Sequence, residues 1–293
     1  MIRRWTYLFV AVFATFSAPL AGQQESIDEL RAKAEQGNSI SQLELGLAYE
    51  TGRGVPEDGV EAARWYRLAA EQGLADAQHS LGVMYANGTS RFGHAEAVRW
   101  FRLAAEQGLA DAQYNLGIMY ANGRGVPQDE AEAVRLFRLA GDQGYASAQY
   151  ALGLMYVNGR GVPQDEAEAV HLFRLAGDQG YASAQYNLGL MYADGVGVAQ
   201  DEAEAVRLFR LAGGQGHARA QYNLGLMYAD LRGVPQDDVT AYMWFDLSAS
   251  QSTGEDRKQA GQNRDIIAER LNSNQRAEAQ RLAREWHDAH ARD

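Results

Sequence analysis

Histidine, glycine and tyrosine are the residue types in this chain whose spacing could support chemistry. The six histidines are scattered. His287 and His290 lie three apart beside Asp288, a spacing that puts two imidazoles on one side of a helix, as a metal site needs; a solvent-facing helix end is the plainer reading. There is no cysteine, so neither a disulfide framework nor a thiolate metal site can form. Segments such as Gly159-Arg160-Gly161 join helix to helix. No strand precedes them, so a phosphate-cradling dinucleotide loop is excluded. No Ser/His/Asp set is found. The expectation is no catalytic residues, no metal and no cofactor.

Tyrosine is different, because it recurs in register. Tyr114, Tyr150, Tyr186 and Tyr222 follow one another at 36-residue steps, with Leu43 and His79 at the matching earlier places. Four residues after the tyrosines stand Ile118, Leu154, Leu190 and Leu226, and four further on Asn122, Asn158, Asp194 and Asp230. At 100° per residue these positions share the helix face opposite Leu152. Tyrosine suits binding, since it offers a large rigid surface at low entropic cost. Asn115, Asn187 and Asn223 follow three of the tyrosines and could satisfy the backbone of an extended peptide. The alternative is that the rings pack between neighbouring helices as core, and the sequence leaves both readings open.

The register belongs to the whole chain. Gly46, Gly82, Gly117, Gly153, Gly189 and Gly225 mark one position at steps of 36, 35, 36, 36 and 36 residues, which signifies a stacked repeat protein. Within one copy, Ala148, Leu152 and Tyr156 lie on one helical face. Gly153 costs that helix about 1 kcal/mol relative to alanine, which close approach of a second helix would justify. Asn158-Gly159-Arg160-Gly161 stops the helix, and Val162-Pro163 keeps the chain extended. Asp165 and Glu168 are spaced as a capping box for a second helix with Ala169, Leu172, Phe173 and Ala176 on its apolar face. Each helix is marginal alone, so neighbouring copies must supply the burial. Gly125–Asn158 and Gly161–Asp194 differ at four positions, a sameness hard to reconcile with a unique active site.

The pattern A-x-x-x-L-G-x-x-Y-x-x-G-x-G-V-P-x-D followed by A-x-x-x-F-x-x-A resembles the Sel1-like repeat, a relative of the tetratricopeptide repeat. The resemblance implies an all-α, α/α superhelical solenoid of six helix-turn-helix repeats whose first helices line a groove, and a role in protein–protein interaction. It places Tyr114, Asn115, Ile118, Asn122, Tyr150, Leu154, Asn158, Tyr186, Asn187, Leu190, Tyr222 and Asn223 in that groove as protein-binding residues. The implied partner is a protein or extended peptide. A second possibility is a cell-envelope enzyme such as a β-lactam hydrolase, by analogy to cysteine-rich Sel1-like proteins; the absence of cysteine weakens it.

The organisation expected is a signal peptide over residues 1–22, an N-terminal half-repeat cap over 23–40, six repeats over 41–251 and C-terminal capping helices over 252–293. Arg3 and Arg4, the apolar run Trp5 to Phe16 and the small residues to Gly22 have the three parts of a secretory signal, with an uncleaved anchor as the competing reading. This makes the protein exported, periplasmic or secreted, without stable membrane insertion after cleavage. The formal charge of −11 disfavours nucleic acid. Arg135, Arg138, Arg174, Arg207 and Arg210 among glutamates read as a solvated face. Copy two lacks the Val-Pro and capping Asp of its loop, Ala199 replaces the loop proline of copy five, and Leu231 replaces the first loop glycine of copy six. Ser273 is the expected cap of a last helix carrying Ala277, Leu282 and Trp286.

Overall fold

In this computed structural model, residues 26–88 and 91–290 are described; the signal-peptide expectation lies outside them. They form fifteen helices and no strand. An N-terminal helix α1 (Ile27–Glu35) is followed by six hairpins: α2 (Ser39–Thr51) with α3 (Gly59–Glu71), α4 (Ala75–Asn87) with α5 (Arg91–Glu106), α6 (Ala110–Asn122) with α7 (Glu130–Asp142), α8 (Ala146–Asn158) with α9 (Glu166–Asp178), α10 (Ala182–Asp194) with α11 (Glu202–Gly214), and α12 (Ala218–Ala229) with α13 (Asp238–Gln251). Two further helices, α14 (Gly254–Arg270) and α15 (Ser273–His290), complete the chain. The fold class is an all-α repeat solenoid. It divides into two compact units, one running to Ala148 and including Arg160–Val162, the other comprising Gln149–Gly159 and residues from Pro163 onward. Among the described residues no helix is long and apolar enough to cross a membrane.

The hairpin is closed by the glycine the sequence marked. A Cβ on Gly153 would lie 2.7 Å from the Phe173 ring, and the same clash, at 2.6–2.7 Å, recurs at Gly46, Gly82, Gly117, Gly189 and Gly225 against Tyr66, Phe101, Phe137, Phe209 and Phe245. The missing side chain lets the second helix lay an aromatic ring on the first helix's backbone. Those rings are almost wholly buried, and burying each one stabilises the hairpin by about 1.5–3 kcal/mol.

Outside copy two the loop is tied at both ends. Gly123 takes a left-handed cap with φ 62°, and the Asp129 N–H donates to the Tyr120 carbonyl at 3.0 Å. The same bond closes the Asp165, Asp201 and Asp237 loops onto Tyr156, Tyr192 and Tyr228 at 3.2, 2.9 and 3.1 Å. Ala199 leaves its loop intact, since the Asp201 bond to Tyr192 still forms. The second loop glycine serves a different contact. Gly161 has φ 66°, and a Cβ there would overlap the backbone of Glu130, the first residue of the preceding second helix.

Several local expectations are corrected. The Asp165 carboxylate accepts from the Glu168 N–H, but in the sister helices the glutamate turns outward: Glu132 and Glu204 receive Arg135 and Arg207 at 2.7 Å. The full reciprocal box forms instead at Ser26 and Glu29. The second-helix arginines are exposed, as the sequence suggested; Arg102 and Arg174 also donate to Tyr120 and Tyr192 of the following first helix at 2.9 and 2.7 Å. In copy two the helix-ending Gly88 is extended rather than left-handed, and α5 begins early, at Arg91. In copy six Leu231 itself adopts φ 60°, the one non-glycine residue with positive φ among those described. Asn272, not Ser273, caps α15: Asn272 Oδ1 accepts from the Gln275 N–H and Gln275 Oε1 accepts from the Asn272 N–H, both at 3.0 Å. Ala279 and Ala283 are the buried residues of α15; Ala277 is exposed, and Leu282 and Trp286 are half-buried.

Candidate functional site

Tyr114, Tyr150 and Tyr186 each sit between two rings, and Tyr222 meets one. The Tyr150 ring lies 5.7 Å from Phe173 of its own hairpin and 5.1 Å from Tyr181 at the next turn. Tyr114 lies between Phe137 and Tyr145 at 5.8 and 5.3 Å. Tyr186 lies between Phe209 and His217 at 5.9 and 4.6 Å, and Tyr222 meets Phe245 edge-on at 5.6 Å. Tilted pairs at these distances add stabilisation beyond area burial.

The hydroxyls are also spoken for. Asn187 Nδ2 donates to Tyr150 Oη at 3.1 Å, and Asn263 of α14 donates to Tyr222 Oη at 2.9 Å. Asn223 draws the Tyr186 pKa down, against the upward push of burial. In copy two, where histidine replaces tyrosine, Asn115 Nδ2 lies 2.8 Å from His79 Nε2. With the Asn115 amide in this orientation, Nε2 is the acceptor, the role open to it in the neutral imidazole. Burial pushes the His79 pKa down, against a smaller upward pull from Asp111 and Asp76. It pushes the Tyr150 hydroxyl up to about 12, helped by Tyr181, and raises Tyr186 as well. The Tyr150 hydroxyl therefore stays protonated near neutrality.

The expected groove residues therefore separate. Asn115 and Ile118 are 4% and 3% exposed and offer no usable surface. Tyr114, Tyr150, Tyr186, Tyr222, Asn187, Asn223, Leu154 and Leu190 are half-buried. Asn122 and Asn158 are exposed, each with its amide N–H donated to its own helix, at Ile118 O and Leu154 O, which leaves the carbonyl oxygen facing out. In the unit beginning at Gln149, Arg219 pairs with Asp256 at 3.2 Å. Its charge opposes the upward shift of Tyr186. At the C-terminus, His290 stacks on Trp286 at 3.9 Å and His287 Nε2 lies 3.3 Å from Ser250 Oγ. Among the described residues no group of three His, Asp or Glu could hold a metal.

One network escaped the sequence reading. Gln42, Gln78, Gln113, Gln149, Gln185 and Gln221 are all buried. Gln42, Gln78, Gln185 and Gln221 donate to a carbonyl eight residues earlier. Turn glutamines Gln72, Gln107, Gln143, Gln179 and Gln215 donate to the first five at 2.7–2.8 Å. The signal was present as an identical polar residue in every copy. Only the sixth rung is unmade: Gln221 Oε1 is buried without a partner.

The geometry agrees with known relatives. Residues 39–74, 75–109, 110–145, 146–181, 182–217 and 218–252 each match the Sel1 repeat model. The chain is similar to the crystal structure of a protective antigen present in uropathogenic Escherichia coli strains, which displays an SLR fold. The two are 35% identical with a TM-score of 0.79, over 92% of this chain and 56% of that one. A Sel1 repeat protein from Oxalobacter formigenes is 36% identical with a TM-score of 0.72, over 80% of this chain and 69% of that one. A sel1-like repeat-containing protein of Acanthamoeba polyphaga mimivirus is 40% identical over 58 residues, 20% of this chain and 11% of the viral one. This chain thus spans little more than half of the antigen and a small part of the viral protein. With six consecutive matches covering most of its length, the chain belongs to the Sel1 repeat family.

Proposed function

We propose that this chain is an exported, non-catalytic scaffold that binds a protein or extended peptide along the outer edge of its first helices. Sel1 repeats are in general protein-interaction scaffolds, and the titratable groups with shifted pKa in the row have structural partners. The observation that carries the reading is the repeated edge at Tyr150, Leu154 and Asn158, then Tyr186, Leu190 and Asp194, where half-buried rings and aliphatic side chains adjoin exposed polar ones. Repetition at a fixed rise presents like contacts to successive residues of an extended ligand. Export rests on the sequence of residues 1–22, and a periplasmic or extracellular protein beginning near Gly22 is its expected outcome.

The test is an affinity pull-down from cell-envelope extract with the wild type and an Asn158→Arg/Asp194→Arg variant as baits. A protein retained by the wild type and lost by the variant, at an unchanged melting temperature, is expected. Identical retention by both would overturn the reading. N-terminal sequencing that found Met1 intact on cytosolic protein would overturn export.

A further inference from the structure

The repeat register breaks at one place near the C-terminal cap. Glu71, Glu106, Asp142 and Asp178 hold one position at the end of successive second helices, and in copy five that position is Gly214. A Cβ built on Gly214 meets nothing within 4 Å, so packing does not demand the glycine. Its effect is to remove a carboxylate and leave space. Gln251 stands 36 residues after Gln215 but does not make the sixth rung, and Gln221 Oε1 is left without a partner. Instead Gln251 Oε1 lies 3.0 Å from the place a Gly216 Cβ would take. The Gln251 amide makes no hydrogen bond among the described residues.

The last helix closes the other side of this space. Trp286 Cη2 lies 3.8 Å from the same Gly216 Cβ position. His290 stacks on Trp286 at 3.9 Å and 15°, and His287 meets the indole edge-on at 5.5 Å, with its Nε2 3.3 Å from Ser250 Oγ. Gly214, Gly216, Gln251, Trp286, His287 and His290 thus line one open cavity of about 640 Å³, within the roughly 300–1,000 Å³ of small-molecule sites. All of them belong to the compact unit that begins at Gln149.

The lining decides what fits. It contains no Asp, Glu, Lys or Arg, so it offers no ion a counter-charge. His290 Nδ1 is 2.7 Å from the Trp286 carbonyl. A carbonyl only accepts, so Nδ1 donates there and Nε2 of the neutral ring is left as an acceptor. The Gln251 amide supplies donors and an acceptor. Beside these polar points stands a flat apolar indole. The complement is an uncharged ligand with a C–H face for the indole and hydroxyls that both donate and accept. An aromatic side chain would match the indole but strip water from the amide and imidazole without replacing its hydrogen bonds, which costs free energy.

We infer that this cavity binds a neutral sugar ring, with an apolar face against Trp286 and hydroxyls bonded to Gln251 and His290. The site shares no residue with the first-helix edge.

The test is saturation-transfer NMR on the full chain with neutral disaccharides of glucose, galactose and N-acetylglucosamine, with p-cresol as the aromatic control. At least one disaccharide is expected to bind saturably and to outcompete p-cresol. Gly214→Leu, which fills the cavity where a side chain has room, should abolish that binding. Gln251→Ala should weaken it by about tenfold or more. Both variants should melt like the wild type, and Asn158→Arg/Asp194→Arg should bind sugar as the wild type does. No binding of any disaccharide, p-cresol binding in preference to all of them, or sugar binding unchanged in Gly214→Leu would overturn the inference. None of these outcomes bears on the first-helix edge, whose own variant and pull-down stand apart.

Discussion

The first-helix face and the loop row use repetition in opposite ways. On the first-helix face like residues return in most copies, and many turn out to be braces: three tyrosines held between two rings, Asn187 bonded to the tyrosine before it, five glutamines bonded to the turn that follows. In the loop row the informative residues are those that do not return. Val196 lacks the bond that Arg160 and Arg232 make from their loops, and Leu231 holds a left-handed φ of 60°. A residue repeated in near-identical copies is selected by the stacking that all copies share. A departure that costs stability calls for a reason particular to its place.

The comparison can be broken from the repeated side first. Gly153→Val should overpack the hairpin against Phe173, a ring with no room to retreat, and destabilise the chain by about 2 kcal/mol or more; a denaturant midpoint equal to the wild type's would show that the close approach is not needed. Asn187→Ala should cost about 1 kcal/mol, the usual worth of a lost hydrogen bond of this kind, and should become neutral in a Tyr150→Phe background. A double-mutant cycle with no coupling would remove asparagine from the brace.

From the other side, Leu231→Gly should raise stability by about 1 kcal/mol, since glycine accepts the left-handed conformation without strain. A lower melting temperature would mean that Leu231 contributes packing after all.

The smallest effect is a pH dependence. Burial lowers the folded-state pKa of His79 and of His217. As pH falls below about 6.5, the ordinary imidazole value, the unfolded chain takes up protons that the folded state resists. Stability is therefore lost from that point downward, until the folded-state values are passed. His79→Tyr, which makes copy two like its neighbours, should flatten part of this acid slope in melts taken at successive pH values. An unchanged slope would show that His79 is not held neutral.

Much of this architecture was legible in the sequence. The period, the hairpin, the helix stop at Gly159 and the tight approach at Gly153 follow from residue type and spacing, because each is a local rule applied once per copy. The row Tyr114 to Tyr222 was legible as a face but not as a contact. Helical periodicity gives an angle around one axis and cannot say how closely the next helix approaches, so core and groove remained equal readings. The glutamine rungs were missed because a buried polar residue looks like a surface one until its partner, some thirty residues away, is placed beside it. Asn272 outcompeted Ser273 as a cap through a reciprocal bond to Gln275, a choice that propensity alone does not decide.

The central claim is that the tyrosine row braces the stack and that its outer edge is what remains for a partner. Thermal unfolding of the Tyr150→Ala/Tyr186→Ala variant tests it most directly. Emptying two ring cages should cost several kcal/mol, toward the roughly 3–5 kcal/mol seen per fully buried aromatic, and lower the melting temperature by roughly 10 °C. A melt that coincides with the wild type's would contradict the account and return the tyrosines to the role of free contact residues.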